Sequence, residues 1–129
     1  MQHNQLRRWE KMNNIQISKN FKLREFQCKD GSQLVKLDSQ LLIKLQKLRD
    51  LIGKPIIIAS GYRTQQYNKK VGGVDDSLHL EGKASDIRIN GMSPSQIKRY
   101  AEQVGFSGIG IYKSFLHLDI RKTKARWNG

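Results

Sequence analysis

The segment Ser77-Leu78-His79-Leu80-Glu81-Gly82-Lys83-Ala84-Ser85-Asp86 sets a histidine and an aspartate seven residues apart, and His117 follows on a later stretch. The chain has three histidines, so two of them fall in this arrangement. A fold that brings the three positions together assembles two imidazoles and one carboxylate. That set is sufficient to hold a catalytic zinc ion while keeping a fourth position open for water. On spacing alone the alternative stands beside it, namely core or surface histidines and a capping or solvated aspartate.

A chain of 129 residues fits one domain with a single core. Its one cysteine, Cys28, excludes an internal disulfide framework and reads as a small buried residue. No run of about 18 apolar residues exists, so no membrane span is expected. Residues 1–20 read as a polar extension without the apolar segment of a secretory signal, and the folded domain is expected over 21–129. Action outside the cytoplasm would then need another route of release.

The formal charge of +13, from 24 basic and 11 acidic residues, implies attraction to a polyanion. Basic residues are spread along the chain, and no zinc-finger spacing or other nucleic-acid module is present, so a specific nucleic-acid partner is not expected. An anionic bacterial wall suits the charge equally well, and a solvated basic surface is the plain alternative.

Leu41, Leu42, Leu45, Leu48, Leu51 and Ile52 recur at helical spacing, with Asp38 as N-cap and Gly53 as stop. Pro55–Ser60 is a short β-branched run, apolar on both faces, and predicts a buried strand. A short helix is expected from about Thr64 to Gly72-Gly73, followed by a loop to His79. Lys83–Asn90 reads as a strand with Ile87 and Ile89 on one face and Ala84, Asp86 and Arg88 on the other. Ser93-Pro94-Ser95-Gln96 carries a capping box that opens a helix ended by Gly105. Gly108–Tyr112 and Phe115–Ile120 predict a hairpin about Lys113-Ser114. Period-two alternation then buries Leu116, Leu118 and Ile120 and sets His117 and Asp119 on the opposite face.

Four pieces in this order resemble the M15-type zinc peptidases of bacterial cell walls, a group that includes D-alanyl-D-alanine carboxypeptidases and phage endolysins. They are Phe21-Lys22-Leu23-Arg24-Glu25-Phe26, Ser60-Gly61-Tyr62-Arg63-Thr64, the Ser77–Asp86 segment, and Gly108-Ile109-Gly110-Ile111-Tyr112 leading to His117-Leu118-Asp119. The resemblance covers residues 21–127. It implies an α+β fold of the hedgehog/DD-peptidase type, with a small antiparallel sheet flanked by helices and zinc held by His79, Asp86 and His117. The implied activity is hydrolysis of peptide bonds in peptidoglycan stems or cross-bridges, as a carboxypeptidase or an endopeptidase, and a monomer is expected. A phage-type lysin released through a holin fits the size and charge.

The same resemblance places Arg63 near the metal, facing the substrate, where its fork would bind a terminal carboxylate or the tetrahedral oxyanion. Relatives carry an acid three residues before the second zinc histidine, but Ser114 stands there in this chain. Asp119 is the nearest acidic candidate, either as general base or as the group that orients His117. Ser77 is expected to bind substrate or to cap its loop, and Tyr112 and Trp127 to line the cleft or to pack. A module that keeps zinc for structure and only binds the wall is the alternative to an enzyme.

Overall fold

The computed structural model describes residues 11–129. The polar extension expected over residues 1–20 lies outside the described residues up to residue 10. From Asn13 onward the chain is tied to the rest: the Asn13 amide donates to Gln27 and to the Gln33 carbonyl, Gln16 bridges Lys22, and Ile17 packs against the core. A 3-10 helix over Leu23–Phe26 buries Phe26 beside Phe21.

Helix α1 (Ser39–Ile52) starts where the Asp38 carboxylate accepts from the Gln40 N–H at 2.8 Å, and it ends at Gly53, whose φ of 76° needs a residue without a Cβ. Leu41, Leu45 and Leu48 are fully buried along one stripe. Helix α2 (Gln65–Lys70) is capped by the Thr64 hydroxyl. Helix α3 (Pro94–Val104) carries the expected capping box of Ser93 and Gln96 and closes at Gly105. α1 packs on α3, and α3 in turn on the sheet.

The sheet has five strands, β1 (Ile57–Ser60), β2 (Ala84–Arg88), β3 (Gly108–Ile111), β4 (Leu116–Asp119) and β5 (Ala125–Asn128), in the order β1-β2-β4-β3-β5. Every pairing is antiparallel except that of β5, which lies parallel to β3. The α+β class is as expected from the sequence, with β5 the element it did not predict.

Three local expectations are revised. The run at 55–60 is an edge strand rather than a buried one, and Ile57 is exposed while Ile58 is buried. The predicted strand over 83–90 is shorter, Ala84–Arg88. The stretch before Asp86 is no plain loop, because Leu78–Glu81 forms a 3-10 helix. Ser77 caps it by accepting from the His79 N–H at 3.2 Å, and Gly82 ends it with φ 69°.

Register decides what the sheet presents. Ser60, Asp86, His117, Gly110 and Trp127 are paired neighbour to neighbour, one row across all five strands. Directly opposed residues project to the same face. The adjacent row on that face is Ala84, Asp119, Gly108 and Ala125. The opposite face carries Ile58, Ile87, Leu116, Leu118 and Ile109, all buried in the core formed with the helices. One face of the sheet therefore carries the fold, and the other carries polar side chains.

Candidate metal centre

His79, Asp86 and His117 each offer one ligand atom, and these atoms lie within 4.8 Å of one another. His79 is brought over β2 by the 3-10 helix, while Asp86 and His117 face each other across the β2–β4 ladder. The rings of His79 and His117 meet edge to face at 5.3 Å.

The hydrogen bonds fix the tautomer of His79. Its Nδ1 lies 2.7 Å from the Gly61 carbonyl oxygen. A carbonyl only accepts, so Nδ1 carries the proton and Nε2 of the neutral ring presents a lone pair. That lone pair points at Asp86 Oδ1 from 3.2 Å. Two acceptors face each other there, which is unfavourable unless a cation or a proton lies between them.

His117 repeats the pattern with its nitrogens exchanged. Nε2 lies 2.8 Å from Asp119 Oδ2, and Nδ1 lies 2.9 Å from Asp86 Oδ1. With Nε2–H given to Asp119, Nδ1 is free to ligate. Two histidines, each with its far nitrogen satisfied by an oxygen and its near nitrogen aimed at one carboxylate, are the donor set zinc takes, and the residues present fit that ion.

Electrostatics agree. Burial opposes ionisation of Asp86, but the two histidines that face it, His117 first, outweigh that effect in the metal-free protein and hold the carboxyl well below the usual carboxylate range. Burial likewise pushes the His117 ring down, yet Asp119 and Asp86 raise it above the ordinary histidine value. Asp119 has no solvent-exposed surface. Against its burial, Arg121 and His117 keep its carboxyl strongly lowered. Both of its oxygens are engaged, by the Arg121 guanidinium, the Arg121 N–H and His117.

Arg63 is held by three partners. Nε donates to Ser60 Oγ, Nη1 to Asn68 Oδ1 and Nη2 to Asp86 Oδ2, each at 3.1 Å. It thus secures the second oxygen of Asp86 while Oδ1 faces the histidines. Asn68 is buried in α2, and its amide also donates to the Val74 carbonyl at 2.8 Å. Nothing in the sequence marks Asn68, since a polar residue in a short helix gives no sign of burial.

The metal triangle opens on a cleft of about 630 Å³. Arg63, Val74 and Ser77 line it on one side, and Tyr112, Arg121 and Trp127 on the other. Tyr112 stacks on Phe115, and Trp127 donates its indole N–H to the Tyr112 hydroxyl at 3.0 Å. Trp127 reaches the His117 ring, centroids 5.2 Å apart, because Gly110 stands between them in the row, and a Cβ there would collide with the indole. Ser114 lies in the β3–β4 connection and is not among the residues lining the cleft.

Residues 19–119 match the family model for Peptidase M15. The chain is 31% identical over 98 residues to the peptidoglycan L,D-endopeptidase MepK of Escherichia coli (strain K12), covering 69% of this chain and 54% of that protein. It is 30% identical over 111 residues to the probable peptidoglycan L,D-endopeptidase MepK of Haemophilus influenzae, covering 78% and 59%. It is 34% identical over 67 residues to the zinc D-Ala-D-Ala carboxypeptidase of Streptomyces albus G, covering 51% and 26%. The chain spans little more than half the length of the MepK relatives. With the family model matched over most of its length, the chain belongs to the M15 peptidase family.

Proposed function

We propose that this protein is a zinc metallopeptidase that hydrolyses peptide bonds in the stems or cross-bridges of bacterial peptidoglycan. The observation that carries the reading is the convergence of His79 Nε2, His117 Nδ1 and Asp86 Oδ1 at the floor of a cleft wide enough for a peptide. The names of its relatives, two peptidoglycan endopeptidases and a zinc carboxypeptidase, support the same class of substrate.

Zinc bound by these residues supplies a Lewis acid that polarises the scissile carbonyl and brings the pKa of its water near neutrality. The other contributions come from the chain itself. Gly61 and Asp119 set the tautomers that leave both ligating nitrogens unprotonated. Arg63 keeps Asp86 turned with one oxygen to the histidines and adds positive charge beside the place where an oxyanion develops. The complete burial of Asp119 and its engagement by Arg121 support an orienting role over that of a mobile general base. A phage or prophage setting, with holin-type release, belongs to the same reading and is supported by the charge of +13, which suits an anionic wall.

The test is native mass spectrometry for bound metal in the wild type and His117→Ala, followed by digestion of purified wall. One zinc per chain, lost in the variant, with soluble peptides released from wall and abolished by chelator, is the expected result. Zinc binding without release of any peptide would leave a wall-binding module instead. A chain that takes no zinc would overturn the reading.

A further inference from the structure

Arg121 is the one cleft arginine with an uncommitted nitrogen. All three guanidinium nitrogens of Arg63 already donate within the protein. Arg121 differs: Nε and Nη2 both grip the Asp119 carboxylate, while Nη1 has no partner among the described residues. The guanidinium lies 4.7 Å from the Trp127 ring, which fixes its plane, and its side chain is 34% exposed on the cleft side. A planar fork locked by a buried carboxylate and an indole, with one edge open, is a preorganised carboxylate receptor. Beside it, the Tyr112 hydroxyl accepts the Trp127 N–H and keeps its own hydrogen to donate.

The charge of the cleft points the same way. Two arginines stand against three carboxylates, Asp76 and Asp86 in the lining and Asp119 beneath Arg121, so the two charges of a bound zinc leave the site net positive. Asp76 is exposed at the rim, and its charge is felt at Arg121. A substrate carboxylate entering the cleft finds Arg121 as its open cationic partner.

We propose that Arg121, backed by Trp127 and flanked by Tyr112, is a specificity-determining residue that anchors a free carboxylate of the peptide substrate, so that the cleft selects acidic peptides over their amidated counterparts. This rests on the peptidase reading for the word substrate, but the recognition it describes is a binding event and is measurable without turnover. It also moves the carboxylate-binding role expected of Arg63 to the opposite wall.

The experiment titrates zinc-loaded protein, wild type and Arg121→Met, with pairs of D-amino-acid-containing tetrapeptides that differ only by one carboxylate against its primary amide. Calorimetry reads affinity, mass spectrometry of the same mixtures reads cleavage, and metal analysis reads zinc content. Amidation at one position is expected to weaken wild-type binding at least tenfold, because a charge-assisted contact is lost, and binding to Arg121→Met less than twofold, because that contact is already absent there. Arg121→Lys, which keeps the charge without the fork, covers the case in which Arg121→Met loses zinc or fails to fold, and it is expected to show intermediate discrimination. Equal wild-type affinity for every pair, or undiminished discrimination in both variants, overturns the proposal. Cleavage without discrimination sinks the anchor and leaves the peptidase standing. Discrimination without cleavage does the reverse.

Discussion

The carbonyl oxygen of Gly61 lies 2.7 Å from Nδ1 of His79 and thereby determines which nitrogen of that ring is free. Gly61 itself admits no side chain, since a Cβ there would stand 2.6 Å from the Phe26 carbonyl oxygen and 2.8 Å from its Cα. Gly61→Ala must therefore shift the end of β1 and the acceptor it carries. Zinc affinity is expected to fall about 10–100-fold, as for other losses of a partner to a ligating histidine. Competition against a chromophoric chelator measures it, and unchanged affinity would remove Gly61 from the metal site.

Asp119→Asn separates the two roles open to that residue. If Asp119 orients His117, zinc affinity drops about 10–100-fold and turnover falls with it. Zinc retained at wild-type affinity, with turnover lost, would instead make Asp119 the base. The first outcome is expected, because the carboxylate is fully buried and shared with Arg121.

In the metal-free protein the His117 ring is raised above the ordinary histidine value by Asp119 and Asp86, against the effect of burial. A raised folded value means that the fold favours the imidazolium. That contribution to stability is full below about pH 6.5 and is lost as pH climbs through the folded value. Zinc takes the place of the proton on Nδ1, so zinc binding near pH 6.5 should release about one proton from this ring, and fewer at higher pH. Zinc-induced thermal stabilisation should correspondingly grow with pH over that window. Calorimetry in buffers of different ionisation heat measures the release, and uptake or no exchange of protons would contradict the ligand assignment.

Asn68→Ala removes the amide that joins Arg63 to the backbone of Val74. It leaves the Arg63 Nη1 donor without that partner, while the Val74 carbonyl keeps the Ser77 N–H at 3.1 Å, and the unsatisfied donor costs about 1–3 kcal/mol of stability. Urea unfolding of the metal-free proteins reads this directly. A loss below 0.5 kcal/mol (a threshold of about the surface-substitution scale) would show that the loop is held by other contacts.

Most of what builds the site is local in sequence, and that part was legible. Asp38 and Gly53 bracket α1, Ser93 and Gln96 open α3, and the alternation of Leu116, His117, Leu118 and Asp119 assigns the two faces of β4. Spacing and resemblance single out His79, Asp86 and His117, and the structure brings them together. What escaped depends on contacts distant along the chain. Ala125–Asn128 has too little alternation to announce a strand, and its parallel pairing with β3 follows from tertiary packing. Neither the full commitment of Arg63 nor the half-commitment of Arg121 is visible in residue type. Asp119 was placed on the site face, but nothing in its neighbours indicated that it would be sealed beneath that face by Arg121.

The parallel strand β5 separates two capacities of the molecule. His79, Asp86 and His117 and the groups that orient them, Gly61, Arg63 and Asp119, all lie outside it, whereas Trp127 lies on it. The cleft's second wall exists only where that strand is docked beside β3. Loosening β5 thus takes away the surface that grips a peptide while the donors of the ion keep their own contacts.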